Sequence, residues 1–157
     1  MNTTETKKLI QDYLGQIKMM HLATIFEGKP WTCNVWFATD EDLNFYWLSS
    51  TKVRHSQALL TDKDVAAAIW LQQGPEDMPV QGIQIEGTAE ILTDQAEIEK
   101  AIKCYSERIF GIDQIKQFMA SPYEPRRFYR LKPSKIMLLD TSTAVDNNPY
   151  HEYTPAK

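Results

Sequence analysis

Residues 43–54 hold the densest set of groups in this chain that could do chemistry. Leu43-Asn44-Phe45-Tyr46-Trp47-Leu48 reads as an aromatic strand, and it runs straight into Ser49, Ser50, Thr51, Lys52 and Arg54. A helix is predicted to follow over 53–60, with apolar Val53, Ala58, Leu59 and Leu60. Free N–H groups and the positive end of a helix dipole gather at such a start. Ser50 and Thr51 add donors, and Lys52 and Arg54 add charge. Together they make a candidate phosphate site. An ordinary Ser/Thr cap flanked by two solvated cations is the competing reading of the same residues.

The elements that must position this turn follow from pattern. Leu9, Ile10, Tyr13, Leu14 and Ile17 recur at helical spacing, which predicts a helix over 2–18, capped by Asn2 or Thr3. Strands are predicted over 21–26, 31–38 and 43–48, joined by the turn Glu27-Gly28-Lys29-Pro30 and a second polar turn at 39–42. Tight turns between them predict an antiparallel meander. Residues 65–71 are almost wholly apolar and read as a strand buried on both faces. Residues 72–79, with Gly74, Pro75 and Pro79, read as loop. Residues 80–92 alternate cleanly and are interrupted by Gly87, a bulge or close-approach glycine. Asp94 and Glu97 open a helix with its stripe at Ile98, Ala101, Ile102, Tyr105 and Ile109, and a short helix follows over 112–119. Strands over 127–131 and 135–139 are separated by Pro133. Residues 141–157 read as loop or a docked arm.

Bulk properties exclude several classes. The 157 residues carry 43% hydrophobic and 24% charged side chains, the profile of one globular domain. A net charge of −4 without a basic run argues against a nucleic-acid protein. No apolar run reaches membrane-spanning length and the N-terminus is polar, so a cytoplasmic protein is expected. Cys33 and Cys104 form neither a disulfide framework nor a zinc pattern and read as small buried apolar residues. His21, His55 and His151 lack ligand spacing, so no metal site is expected. Six or seven strands with few helical crossovers predict a mainly β fold, a small antiparallel barrel of Greek-key type with flanking helices.

Four stretches carry a resemblance to a known family. They are His21-Leu22-Ala23-Thr24 with its following turn, Phe45 through Val53, Ile83-Gln84-Ile85-Glu86-Gly87-Thr88-Ala89-Glu90-Ile91-Leu92, and Phe128-Tyr129-Arg130-Leu131-Lys132-Pro133-Ser134-Lys135-Ile136. In order and spacing, over residues 18 to 140, they resemble the pyridoxamine 5′-phosphate oxidase-like family of FMN-binding split barrels. The resemblance implies a split-barrel domain over 1–140, with a helix over 1–19 and a tail over 141–157. It implies a homodimer with a flavin in each of two clefts between subunits, and a small-molecule substrate. Ser50 and Lys52 fall where the family binds the FMN phosphate. Thr51 falls where some members carry a second cation, a role Arg54 could take here. The chain departs from the true oxidases at Cys33, where they carry arginine, and at Gly82, where they carry glutamine. Their C-terminal arginine motif has no counterpart in 147–157. Pyridoxamine 5′-phosphate oxidase activity itself is therefore not expected.

Within that resemblance Asn34, Val35 and Trp36 border the isoalloxazine ring, and Gln84 is a further ring contact. Each has a plainer reading. Trp36, like Trp47 and Trp70, is also a core or interface aromatic, and Gln84 a solvated or interface residue. His55 reads as a solvent-facing helix residue. The cluster Tyr150, His151, Tyr153 is either a mobile end or a flap over the partner's cleft. The charged helix face of Glu97, Glu99, Lys100, Lys103 and Glu107 needs no function. Nothing marks a general acid or a nucleophile. The first expectation is a flavin-dependent oxidoreductase. The alternatives are a split barrel that binds haem, a deazaflavin or nothing, and a dimeric stress or interaction module.

Overall fold

The computed structural model describes residues 2–70 and 74–155. Its elements, in order, are α1 (Thr3–Leu14), β1 (Met19–Phe26), β2 (Lys29–Trp36), β3 (Ala38–Thr39), β4 (Phe45–Ser50), α2 (Arg54–Ala58), β5 (Asp64–Trp70), β6 (Gln81–Ile91), α3 (Gln95–Ser106), α4 (Ile112–Ala120), β7 (Arg126–Asp140) and β8 (Tyr150–Tyr153). One antiparallel sheet runs in the order β2-β1-β5-β6-β7-β4-β3, with β8 on β7. Its two terminal strands, β2 and β3, are separated in sequence by Phe37 alone. The sheet must therefore curl until its edges meet there. The result is a mainly antiparallel half-barrel with flanking helices.

Two cores follow from this curl. Met20, Leu22, Phe37, Phe45, Trp47, Ile69, Ile85, Leu131, Ile136 and Leu138 fill the interior, with Ile10, Tyr13 and Leu14 of α1 packed in among them. Outside, Tyr46, Leu48, Phe128 and Leu92 pack against Ala101 and Tyr105 of α3 and Ile115 of α4. Strand β4 thus feeds alternate residues to each core and is buried on both faces. Double burial was the expectation for 65–71, and there it fails. β5 alternates between exposed and buried residues, so only one of its faces meets the core, while Leu71 lies outside the described residues.

Other local expectations change for physical reasons. The predicted meander is interrupted: β4 pairs with β3 over two residues only and otherwise with β7, because the chain bends away at Phe37. The strand predicted over 43–48 is displaced to Phe45–Ser50, with Leu43 held at φ 62 in the preceding turn. Pro133 does not break β7, which is continuous from Arg126 to Asp140. A register shift between Glu86 and Gly87 places Pro133 opposite Gly87, so the missing N–H falls at a bulge. A Cβ on Gly87 would lie 2.3 Å from the Lys132 carbonyl oxygen. That close approach is the role expected of this glycine. The C-terminal cluster docks on its own barrel: β8 pairs with β7, and His151 and Tyr153 are buried. His151 Nε2 lies 3.0 Å from Thr143 Oγ1. Cys33 and Cys104 are only half-buried.

Asp40 ties the β3–β4 turn to α3. It is buried. Its carboxylate accepts from the Asn44 and Asp42 backbones at 2.9 and 3.0 Å, from Asn44 Nδ2 at 2.9 Å and from the Tyr46 hydroxyl at 2.9 Å. Lys100 of α3 lies 2.7 Å away. Glu97 of α3 pairs with Arg130 at 2.5 Å. The charged face of α3 is therefore partly a set of structural ties. Burial pushes the Asp40 carboxyl up, but the bonds from Lys100, Asn44 and Tyr46 more than offset it and hold it below the usual carboxylate range.

Asp40→Ala should cost about 2–3 kcal/mol in urea unfolding, because it strands the buried Tyr46 hydroxyl and the turn amides. Lys100→Ala should cost under about 1 kcal/mol, since its ammonium is half exposed. With a depressed folded pKa, the Asp40 contribution is present above its unfolded pKa and lost as pH falls through the folded one, so Asp40→Asn should flatten the loss of stability below about pH 4. Gly87→Ala should cost about 2 kcal/mol or more, read as a lowered urea midpoint at unchanged slope, because backbone rather than a flexible side chain fills the space.

Candidate functional site

The barrel is split beside Phe37. Among the described residues, strand β2 pairs with β1 along one edge and has no ladder along the other, and β4 beyond Tyr46 is likewise paired only with β7. These two free edges diverge around a cleft of about 360 Å³ lined by Met19, Asn34, Val35, Trp36, Leu48, Ser49, His55, Tyr105, Phe110 and Arg126. An edge strand offers unpaired backbone N–H and C=O groups, here at 34–36. Phe110, in the turn between α3 and α4, meets Trp36 edge-on at 5.3 Å and Phe118 at 5.4 Å. The cleft therefore has one polar strand edge and one aromatic wall, a form suited to a flat ligand.

The polar groups in the cleft are few. Asn34 Oδ1 lies 2.6 Å from His21 Nδ1 on the neighbouring strand, which orients the amide. His55 Nε2 lies 2.9 Å from Ser49 Oγ. His55 is half-buried rather than solvent-facing, because α2 packs against β1 and β2 and His55 lines the cleft. Burial lowers its pKa and favours the neutral imidazole. Burial also pushes the Tyr105 phenol up to about 12, so it is un-ionised at neutral pH.

The sequence-predicted residues separate into three groups. Asn34, Val35 and Trp36 line the cleft together. Ser50, Thr51 and Lys52 form the turn that leaves β4 just beyond it. Ser50 is buried and accepts from the Lys52 backbone at 3.2 Å. Lys52 Nζ donates to the Tyr123 carbonyl at 2.9 Å, and Gln57 Nε2 to the Thr51 carbonyl at 2.6 Å. The helix that follows is shorter than predicted, Arg54–Ala58, and its cap, Val53, makes no side-chain capping bond. The Ser/Thr-cap reading therefore does not hold. Arg54 turns away and lies 4.3 Å over the Trp31 ring and 5.7 Å over Phe26. Gln84 is not in this cleft. It lines a separate groove on the open sheet face with Ala66, Ala67, Glu86, Lys135 and Met137.

Sequence reasoning missed Ser49, His55 and Arg126 as lining residues. The first two were visible only as neighbours of the candidate turn. Arg126 reaches the cleft through the pairing of β7 with β4, which places it opposite Ser50 although 76 positions separate them. No local signal announces that. Among the described residues no group of three His, Cys, Asp or Glu is arranged to hold a metal, and no helix is long and apolar enough to cross a membrane.

The comparisons agree with this architecture. No curated protein sequence is significantly similar to the chain. Solved structures share the fold. A haem binding protein from Mycobacterium smegmatis aligns at TM-score 0.71 and 16% identity, over 90% of this chain and 54% of that one. This chain thus spans about half the length of that protein. The haem storage protein HutZ of Vibrio cholerae aligns at 0.66 and 20%, over 80% and 88% of the two chains. General Stress Protein 26 of Bacillus anthracis aligns at 0.62 and 16%, over 85% and 92%. At these identities the likeness is one of fold. The family profile described as Pyridoxamine 5′-phosphate oxidase matches residues 6–140, nearly the whole barrel. The chain belongs to the pyridoxamine 5′-phosphate oxidase family.

Proposed function

We propose that the protein is a homodimeric FMN-binding redox protein, with the flavin ring in the cleft between β2 and β4 and the phosphate on the Ser50-Thr51-Lys52 turn. The observation that carries this reading is the cleft itself: a ring-sized space between a free strand edge and the Trp36–Phe110 wall, with a hydroxyl-and-lysine turn at its rim. When bound, the flavin supplies two-electron chemistry. The chain's own groups do the rest. The 34–36 backbone edge and the Asn34 amide orient the ring. Trp36 and Phe110 exclude water. Lys52 keeps one donor on Tyr123 and has two more for the anion. Arg54, held on Trp31, adds a positive field at the turn. The substrate is a small molecule, and without Arg at Cys33 or Gln at Gly82 it is not expected to be pyridoxamine 5′-phosphate.

The dimer reading rests on the open sheet face. Trp36 and Trp70 are 51% and 49% exposed, and Met19 is 44% exposed. Met19 pairs with Trp36, and the β1–β5 register carries Met19 alongside Trp70. A contiguous apolar row of this kind marks a contact surface. In such a dimer Gln84, on the same face, would approach the partner's cleft. A second reading is haem in the same cleft. His55 offers a neutral imidazole there, and two of the fold neighbours are haem proteins by name. The third reading, a stress module without a cofactor, has a neighbour named for stress.

Absorption spectra decide among these. Protein incubated with FMN should retain a flavin band after desalting. A Soret band shifted by protein with hemin, and lost in His55→Ala, would favour haem instead. Lys52→Ala should weaken FMN affinity at least about tenfold while leaving riboflavin affinity within about twofold. An unchanged FMN affinity would remove the turn as the phosphate anchor. Light scattering should give a dimer, and Trp70→Asp should shift it toward monomer without loss of the β-rich circular dichroism.

A further inference from the structure

Arg126 stands apart from the other arginines of the chain. Arg108 donates to the Leu14 and Ile17 carbonyls, Arg127 to the Met119 carbonyl, and Arg130 pairs with Glu90 and Glu97. Arg54 lies on Trp31. Arg126 lies 4.3 Å over the Phe118 ring and makes no ion pair among the described residues. It lines the cleft, and no carboxylate lines it with Arg126. Lys52 and Arg54, the two cations that the sequence points to, belong to the turn beyond the cleft and do not line it. The cation that the cleft presents is therefore Arg126.

Its setting favours recognition over solvation. Phe118 supports one face of the guanidinium, and the ladder continues through Phe110 to Trp36. A planar fork of donors beside aromatic surface matches a carboxylate or phosphate. Screening is weaker there than in open water, which strengthens a charged contact. The Ser49 hydroxyl and the His55 imidazole, 2.9 Å apart, supply further hydrogen-bonding atoms in the same space. We propose that Arg126, together with Ser49 and His55, binds the acid group of a planar aromatic ligand whose ring lies against Trp36 and Phe110. The inference deepens the reading of the cleft given above and rests on it for the ligand's place. The acid group is either the cofactor's phosphate, then shared between Arg126 and the adjacent Ser50-Thr51-Lys52 turn, or a co-substrate carboxylate.

The test uses a pair of probes that differ in charge alone. The flavin-free protein should bind 2-naphthoate at least about tenfold more tightly than 2-naphthamide, the discrimination expected of one charge-assisted pair. Arg126→Gln should erase that ratio, and Arg126→Lys should keep part of it, with thermal melts of both variants showing a folded protein. FMN and riboflavin then identify the source. Loss of the FMN-over-riboflavin preference in Arg126→Gln assigns the acid to the cofactor phosphate. An intact preference, with naphthoate lost from the FMN-loaded protein, assigns it to a co-substrate. A wild-type protein that binds the acid and amide equally, or an Arg126→Gln protein that keeps the wild-type ratio, overturns the proposal. Failure to bind any flavin, with the naphthoate ratio intact, would sink the flavin reading and leave the acid site standing.

Discussion

One covalent constraint governs this molecule. The outermost strands of the sheet, β2 and β3, are consecutive in the chain and flank a single residue, Phe37. Seven strands cannot lie flat when the first and last are joined through a single residue. The right-handed twist of a sheet already tends to roll it, and this link sets where the roll ends. Phe37 is fully buried, its amide donates to the Lys18 carbonyl at 2.9 Å, and its ring sits 5.5 Å from Phe45 with Arg108 5.4 Å away on another side. The closure is pinned from the core and from the helical layer together.

The cleft is a by-product of the same constraint. β2 and β4 meet at Phe37 but do not form a ladder, since β4 takes β7 as its partner and β3 is only two residues long. Unpaired edges inside a protein are costly unless something occupies them or water reaches them. Here they open onto an aromatic-walled space. α3 and α4 make that wall because β4 needs a cover for its outer face, and the turn between them delivers Phe110 to Trp36. Packing demand and site construction are thus one arrangement.

Charge is distributed with economy. Lys100, Arg108, Arg127 and Arg130 tie helices and strands together through carboxylates and backbone carbonyls. Arg54 and Arg126 rest on aromatic faces. The same barrel serves proteins of different named roles, so the fold alone does not fix a ligand. Two details particular to this chain lie away from the split: Cys33 is half-buried against the interior core, and the Trp70 ring covers Gly82, where an added Cβ would meet it at 2.5 Å.

By itself the sequence determined most of the helices and strands, the antiparallel class and the family. Those depend on short-range alternation, turn residues and ordered local patterns, all written in neighbouring positions. The resemblance pointed to Asn34, Val35 and Trp36, and these three line the cleft together. Only the tertiary structure decided which strand is buried on both faces, since that depends on where α3 and α4 pack. The passage of β7 through Pro133 required the bulge opposite Gly87. The docking of Tyr150–Tyr153 required a free stretch of β7 edge. Arg126 entered the cleft, and Gln84 left it, through strand register between segments distant in the chain. Local pattern carries no record of such register, because it is set by the closure of the whole sheet.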